Sequence, residues 1–237
     1  MRTVLVTGHS KGIGLAITQK LLELGHSVIG VARNKITDTG HLYQLTTDLS
    51  DISATHTLAK TVASGSFSPE GQTLSIDAVI CNAGSGQFGA LENFSQAQIE
   101  SNIALNLTSP LVLLSTLIPA LKKHDRSDII FIASESAQQG GRYGSVYSAA
   151  KFGLRGVAQS LRAECASANC HVGIINPGMV RTGFFSQLNF EPGHAEQHAL
   201  NANDVASAAL SLLNSADNAV IEEINVRPLQ HVVKKKP

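Results

Sequence analysis

The sequence predicts an α/β protein built on a single doubly wound sheet, and three observations support this fold class. Short segments rich in Val and Ile alternate with helical segments, a pattern typical of parallel strands joined by right-handed crossovers. Some strands, such as residues 129–132, are apolar throughout, so helices should cover both faces of the sheet. The 237 residues are 43% hydrophobic and 15% charged, without a Pro/Gly/Ser-rich linker long enough to separate domains. We therefore expect one domain over residues 1–237, with seven mostly parallel strands.

Individual elements are expected where the hydrophobic pattern changes its period between turn residues. The predicted strands are 3–7, 27–32, 41–47, 76–83, 128–134, 171–177 and 219–226. The predicted helices are 12–24, 51–64, a long apolar pair over 95–123, 147–167, and 203–213 with Asn203 as its N-cap. The expected loops are 65–72 and 183–201, and the closing KKKP run is expected to be a solvated tail.

Composition argues against several classes of partner. The 18 basic residues balance the 18 acidic ones, so no net charge attracts nucleic acid or an anionic membrane. Three cysteines at 81, 165 and 170 and nine scattered histidines match no metal-binding spacing. The apolar run at the amino terminus is too short for a secretory signal, and no later run has the length of a membrane span. We expect a cytoplasmic protein without a metal ion, a nucleic-acid partner or a membrane association.

A glycine-rich turn follows the first predicted strand. The segment TGHSKGIG at 7–14 has glycines at 8, 12 and 14, directly before a predicted helix. Glycine permits positive φ and the close approach of a ligand, and a helix start offers unpaired N–H groups to an anion. The spacing differs from G-x-G-x-x-G, and tight strand-to-helix packing would also require glycine. Its position between a strand and a helix favours a Rossmann-type site for the pyrophosphate of a dinucleotide.

Tyr147 and Lys151 are four residues apart in YSAAK, so a helix would place both side chains on one face. The same spacing also arises on ordinary helix surfaces, and it needs supporting context. A nearby ammonium favours the phenolate form of tyrosine, so Lys151 is expected to lower the pKa of Tyr147 from about 10. The phenol would then exchange a proton with a carbonyl oxygen on which negative charge develops.

Four motifs in this order resemble the short-chain dehydrogenase/reductase family, and the resemblance covers nearly the whole chain. They are TGHSKGIG at 7–14, CNAG at 81–84, YSAAK at 147–151 and NPGMVRT at 176–182. The resemblance implies an oxidoreductase that transfers a hydride between a nicotinamide cofactor and a carbonyl or alcohol substrate. It also implies a homodimer or homotetramer assembled through the long helices near 106–123 and 147–167.

The resemblance implies a catalytic group of Asn106, Ser134, Tyr147 and Lys151. Tyr147 would exchange a proton with the substrate oxygen, to which Ser134 would donate a second hydrogen bond. Lys151 would hold the nicotinamide ribose hydroxyls, and Asn106 would position a water of the proton relay. The segment IASES departs from the family's I-S-S-x-A form and leaves Ser136 as a substitute for Ser134. A cap or turn role also stays open for Asn106 and Ser134.

The remaining motif residues are expected along the cofactor. Asp48 and Leu49 would lie near the adenine, residues 82–84 along the dinucleotide, and Thr182 at the carboxamide. The residues expected to bind the cofactor are Gly8, Ser10, Lys11, Gly12, Ile13, Gly14, Arg33, Asn34, Asp48, Leu49, Asn82, Ala83, Gly84, Tyr147, Lys151, Pro177, Gly178, Val180 and Thr182.

The end of the second strand favours NADP(H) over NAD(H). An NAD site usually has an acidic side chain there for the ribose 2′-OH, whereas a 2′-phosphate requires cations. Ala32 stands where that acidic residue is expected, Arg33 follows it, and Lys11 lies in the glycine turn. Ordinary solvated charges would give the same pattern.

The substrate is expected to be a small or medium carbonyl compound or alcohol. Residues 183–201 carry Phe184, Phe185, Leu188 and Phe190 ahead of a polar stretch, which suggests a lid with an apolar inner face. The same phenylalanines would also suit a lid that only packs onto the core.

Two other functions share features of this sequence, and only the second remains as an alternative. A sugar-nucleotide epimerase also uses Y-x-x-x-K, but the residues after Lys151 suffice for only two helices and two strands rather than a substrate domain. A dinucleotide-binding sensor or scaffold without catalysis would keep the same fold, because fold alone does not imply function.

Overall fold

The computed structural model describes residues 1–37, 40–67 and 74–236. Its strands, in chain order, are β1 (Thr3–Thr7), β2 (Ser27–Ala32), β3 (Leu42–Thr46), β4 (Ala78–Cys81), β5 (Ser127–Ile132), β6 (Cys170–Pro177), β7 (Phe190–Pro192), β8 (Glu223–Val226) and β9 (Val233–Lys235). Seven of them form one sheet in the order β3-β2-β1-β4-β5-β6-β8. Every pairing in that sheet is parallel. The predicted seven-stranded, doubly wound sheet is therefore confirmed.

In the described part of the chain, six α-helices cover the two faces of this sheet. They are α1 (Gly12–Glu23), α2 (Ile52–Ala63), α3 (Gln96–Ile103), α4 (Ser109–Leu121), α5 (Ser145–Cys165) and α6 (Ala202–Leu213). Leu58 of α2, Leu117 of α4 and Leu154 of α5 pack with alternate strand residues in one core cluster. Ile17 of α1 and Leu212 of α6 belong to the cluster on the opposite face. Because β-strand side chains alternate between faces, each buried strand contributes to both clusters.

Some predicted boundaries were wrong. The last strand of the large sheet begins at Glu223, four residues later than expected. The N-cap of α6 is Asn201 instead of Asn203, because the carboxylate of Asp204 accepts a hydrogen bond from the Asn201 N–H at 2.8 Å. This contact satisfies one of the otherwise unpaired donors at the helix start. Most of the expected 65–72 loop lies outside the described residues.

The predicted apolar helix pair over 95–123 is one continuous helical stretch with a π-helical turn, Ala104–Thr108, between α3 and α4. Within its 26 residues, Gln96–Leu121, an 18-residue window has a mean hydropathy of 1.7, and 33% of that window is buried. The stretch is therefore long and apolar enough to cross a membrane. This differs from the sequence expectation that no segment has that length. A single such helix is weak evidence for a membrane span, because core helices of doubly wound domains pass the same test. Here Leu113, Leu114 and Leu117 are fully buried in the core.

The predicted lid and tail are joined by a second, two-stranded sheet. β7 lies within the expected 183–201 loop and pairs antiparallel with β9 near the end of the chain. The N–H of Gly193 donates to the Val232 carbonyl at 2.9 Å, and that of Lys236 donates to the Asn189 carbonyl at 2.8 Å. The prediction of a solvated tail was therefore wrong for the backbone of Lys234 and Lys235, although their side chains are exposed.

Candidate active site

All predicted site segments lie at one edge of the sheet. Because its strands are parallel, their carboxyl ends meet at the same edge. β1 pairs with β2 on one side and β4 on the other, so the strand order reverses between β1 and β4. A crevice at this reversal is where open α/β sheets bind ligands.

The glycine turn has the geometry of an anion site. Gly8 and Gly12 have φ values of 70° and 56°, which favour glycine. Helix α1 begins after Lys11, which is its N-cap and makes no side-chain capping hydrogen bond, and its first turn contains no acidic residue. The helix start therefore has donors without a competing side chain and a cation beside them, which suits a pyrophosphate. Ser10 lies half-buried in the same turn.

Close packing explains the third glycine and the residues around it. A methyl group on Gly14 would lie 2.1 Å from the Gly8 carbonyl oxygen and 2.5 Å from Asn82 Nδ2. Asn82 Nδ2 donates to the Thr7 carbonyl at 2.9 Å, and Ala83 N donates to Thr7 Oγ1 at 3.0 Å. The CNAG segment thus holds the glycine turn against β4 through the Asn82 side-chain amide nitrogen and the Ala83 N–H.

Tyr147 and Lys151 both lie in the first two turns of α5 and are almost completely buried, with 6% and 3% exposure. Lys151 Nζ is 5.6 Å from the centroid of the Tyr147 ring and donates to the Ile132 carbonyl at 3.3 Å. The structure therefore brings the predicted pair together on one helix face, beside the end of β5.

The prediction that Lys151 lowers the pKa of Tyr147 was wrong for the polypeptide without a bound cofactor. Burial raises the pKa of Tyr147 to about 12, although interaction with the Ser134 hydroxyl lowers it, and Glu135 adds to the rise. Burial also lowers the pKa of Lys151 to about 8. Removal from water disfavours the charged form of each group, and it is the largest cause of both shifts.

Asn106 lies in the π-helical turn and is 1% exposed. Its Nδ2 donates to the carbonyls of Ser85 and Asn102, both at 3.0 Å, and its Oδ1 accepts from Ser85 N at 3.3 Å. A methyl group on Gly84 would lie 2.7 Å from Asn106 Oδ1 and 3.5 Å from Lys151 Nζ. The π turn, a feature frequent at functional sites, therefore brings Asn106 to the CNAG segment and to Lys151.

Ser134 follows β5, and its Oγ accepts a hydrogen bond from Ser136 N at 3.1 Å. It caps the short 3₁₀ turn Glu135–Ala137, so the turn role that the sequence left open is real. Ser134 is also the serine that acts on the pKa of Tyr147. Between the two candidates, the contacts therefore favour Ser134 over Ser136.

The residues expected near the adenosine lie at the ends of β2 and β3. Arg33 and Asn34 are exposed directly after β2, Lys11 is exposed in the glycine turn, and Leu49 is 4% exposed in the core. Asp48 accepts hydrogen bonds from Ser50, which lower the pKa of its carboxyl, and the charge of Arg33 lowers it further. Arg33 thus faces the same surface as Asp48.

The NPGMVRT segment leaves β6 and crosses toward the glycine turn. Pro177 ends β6, Gly178 N donates to the Val226 carbonyl at 2.8 Å, and Val180 forms a bridge to Leu200. A methyl group on Gly12 would lie 3.4 Å from Thr182 Cβ. Thr182 therefore lies against the start of α1, and Ile13 packs against the core.

Phe88 was not predicted from the sequence. Its ring contacts both Phe190 of the lid and Tyr147, the candidate catalytic residue. Its ring centroid is 5.2 Å from that of Tyr147 and 5.1 Å from that of Phe190. Phe184 lies 6.0 Å from Tyr147 and 5.2 Å from Phe185. The only signal in the sequence was an aromatic residue between glycines in GSGQFG. The lid thus presents an apolar inner face to Tyr147, as one of the two interpretations proposed.

Comparisons with known proteins agree with this geometry. The family model described as short chain dehydrogenase matches residues 2–192. An uncharacterised oxidoreductase of Staphylococcus epidermidis is 29% identical over 228 residues, which cover 96% of this chain and 97% of that protein. The chain therefore belongs to the short-chain dehydrogenase family of oxidoreductases.

Two solved structures show the same fold. An alcohol dehydrogenase from Thermococcus sibiricus, complexed with 5-hydroxy-NADP, matches with a TM-score of 0.81 at 23% identity over 97% of this chain and 98% of that one. A 3-ketoacyl-(acyl-carrier-protein) reductase from Brucella melitensis, complexed with NADH, matches with a TM-score of 0.83 at 19% identity over 96% and 97%. Relatives of this fold thus occur with either dinucleotide.

Proposed function

We propose that this protein is an NADP(H)-dependent oxidoreductase acting on a small or medium carbonyl compound or secondary alcohol. The observation that carries the proposal is that Lys151 and Asn106 meet at Gly84 of the CNAG segment, with Lys151 beside the Tyr147 ring. This group lies beside a glycine turn that suits a pyrophosphate. A bound nicotinamide would supply or accept the hydride, and it would be held by the glycine turn, the CNAG segment and residues 178–182.

In the reducing direction Tyr147 serves as the proton donor. Its raised pKa keeps the phenol protonated at neutral pH, which is the form that a developing alkoxide requires. Ser134 donates a second hydrogen bond to the same oxygen and stabilises charge as it forms. Lys151, with a pKa of about 8, is mostly an ammonium at pH 7 and stabilises the phenolate left behind.

The aromatic cluster excludes water from this reaction. Phe88 and Phe184 flank the Tyr147 ring, and Phe190 packs on Phe88. A dry environment strengthens hydrogen bonds to developing charge. An apolar lining also favours a substrate with few charged groups near its carbonyl.

Turnover of a panel of ketones and aldehydes with NADPH tests the reaction. Tyr147→Phe removes the proton donor and keeps the ring, so kcat should fall about 10²- to 10⁴-fold while NADPH still binds. Tight NADPH binding by wild type without turnover of any compound would instead support the sensor alternative. Retention of kcat by Tyr147→Phe would contradict the role of the phenol.

The cofactor preference rests on Arg33 and Lys11, two exposed cations beside the expected ribose position, with no acidic residue at Ala32. Charge-assisted hydrogen bonds to a 2′-phosphate should give roughly a tenfold to hundredfold preference for NADPH. Arg33→Asp should remove that preference and improve the use of NADH, as measured by kcat/KM for the two cofactors. Equal use of NADPH and NADH by wild type would contradict this part of the proposal.

A further inference from the structure

Gln44 on β3 ties together two segments that flank the expected adenosine site. Its Oε1 accepts a hydrogen bond from Ile36 N at 2.7 Å, and its Nε2 donates to the Ile36 carbonyl at 2.9 Å. The backbone donor and acceptor of Ile36 fix which end of the side-chain amide is oxygen. Gln44 therefore holds the peptide that follows Arg33, Asn34 and Lys35 as a neighbouring strand would.

His9 of the glycine turn joins this group from the other side. Its Nε2 lies 3.0 Å from Gln44 Oε1, and because that oxygen only accepts, His9 Nε2 carries the proton. The ring is 1% exposed and lies over Gly30, where an added methyl group would be 2.5 Å from His9 Cγ. The glycine at position 30 thus leaves the space that the imidazole fills, and the ring cannot turn away from Gln44 without losing its packing.

Residues 33–35, which precede the Ile36 backbone held by Gln44, make few contacts of their own in the described part of the chain. Within residues 1–37, 40–67 and 74–236, no hydrogen bond or ion pair is made by the side chains of Arg33, Asn34 or Lys35. All three are exposed, and Ile36 is the next residue that packs against the core. A loop that is already held in place loses less conformational entropy when it binds a ligand.

We propose that Gln44 is a positioning residue for cofactor selectivity. With His9 it fixes the Ile36 backbone and so presents Arg33 to the 2′-phosphate of NADP(H). This inference rests on the proposed preference for NADP(H). Gln44 makes no contact with the reacting atoms in this assignment, so its loss should weaken recognition of the 2′-phosphate and leave the chemical step unchanged.

The test compares adenosine 2′,5′-bisphosphate with 5′-AMP, two ligands that differ only in the 2′-phosphate, by calorimetric titration. Gln44→Met keeps the length of the side chain and removes its hydrogen bonds. This variant should bind the bisphosphate about tenfold more weakly, a loss of about 1.4 kcal/mol, because the loop is no longer preorganised. Its affinity for 5′-AMP should change little. In kinetics the KM for NADPH should rise with kcat unchanged. Gln44→Glu keeps the acceptor for Ile36 N–H and His9, and should fall between wild type and Gln44→Met.

Thr46→Val is the matched control, because Thr46 lies on the same face of β3 two residues away. It should bind both nucleotides as wild type does. His9→Phe keeps a ring over Gly30 without the hydrogen bond, and combined with Gln44→Met it should add little further loss, since the two residues act through one contact. Thermal unfolding of each variant shows that the fold is intact.

Three results would overturn the inference, and they can be told apart. If Gln44→Met binds both nucleotides like wild type, Gln44 has no positioning role, although the NADP(H) proposal stands. If it weakens both nucleotides equally, Gln44 is merely structural. If wild type itself does not discriminate between the bisphosphate and 5′-AMP, both the selectivity proposal and the role of Gln44 are wrong.

Discussion

The nucleotide side and the lid side of this crevice are built in different ways. On the nucleotide side, β1, the glycine turn and α1 are consecutive in sequence, and local conformation shapes the site. On the lid side, Phe88, residues 183–192 and the end of the chain meet only through long-range contacts. The first side is therefore specified by short motifs that many relatives can share. The second depends on packing between distant residues, which is where substrate selectivity can vary.

Lys151 lies where the two sides meet. Because it is buried, its substitution should have the largest effect on stability and activity. Between pH 8 and 10.5 the unfolded lysine binds more protons than the folded one, so the free energy of unfolding should rise with pH over that interval. Below pH 8 the buried ammonium costs about 3 kcal/mol, since one pKa unit is about 1.4 kcal/mol. Lys151→Met should therefore be more stable than wild type at pH 7, by about 1 to 3 kcal/mol, with kcat lowered about 10²-fold or more.

Denaturant unfolding across pH 7 to 11 measures this effect. Lys151→Met should lose the rise in stability between pH 8 and 10.5. Tyr147→Phe is the control, because the raised pKa of Tyr147 affects stability only between about pH 10 and 12, where the wild type should lose stability. Equal pH dependence for Lys151→Met and wild type would show that the lysine is not destabilised by its burial.

Substitution of one glycine on each side should affect the stability of the protein differently. Gly14→Ala places a methyl group 2.1 Å from the Gly8 carbonyl oxygen, so we expect a loss of about 1 to 3 kcal/mol in unfolding free energy together with weaker nucleotide binding. Gly183 at the start of the lid has no atom within 4 Å of an added methyl group. Gly183→Ala should therefore change thermal stability little. If Gly14→Ala is as stable as wild type, the backbone of the glycine turn can shift to accommodate the methyl group, and this prediction is wrong.

The smallest expected effect concerns the contact between lid and tail. Removal of residues 231–237 eliminates β9 and its hydrogen bonds to β7. The two backbone hydrogen bonds that flank this pairing, from Gly193 N to the Val232 carbonyl and from Lys236 N to the Asn189 carbonyl, contribute about 0.5 kcal/mol each at the low end of the usual range. The KM for the carbonyl substrate should therefore rise about three- to tenfold, while the dissociation constant of NADPH stays the same. Lys235→Ala keeps the backbone pairing and removes one exposed charge, so it should behave as wild type. A truncated protein with weaker NADPH binding would contradict the separation of the two sides.

Much of the nucleotide side was predictable because its determinants are local. Glycines at positions 8 and 12 require positive φ, and Y-x-x-x-K at helix spacing placed Tyr147 beside Lys151. The N-cap of α6 was assigned to the wrong asparagine, because both Asn201 and Asn203 are suitable caps and only the reach of Asp204 decides between them. The π turn at Asn106 was not predicted, since the apolar pattern runs through it without interruption.

The sequence by itself determined the parallel sheet, the glycine turn and the order of the motifs at its edge. These depend on hydrophobic period and on conformations that few residues adopt. Only the tertiary structure decided how far Tyr147 and Lys151 are withdrawn from water, and hence that burial is the largest cause of both pKa shifts. It alone brought Phe88 to the lid, the tail to β7 and Gln44 to Ile36. The physical reason is that desolvation and packing depend on every atom surrounding a group, and those atoms come from distant parts of the chain.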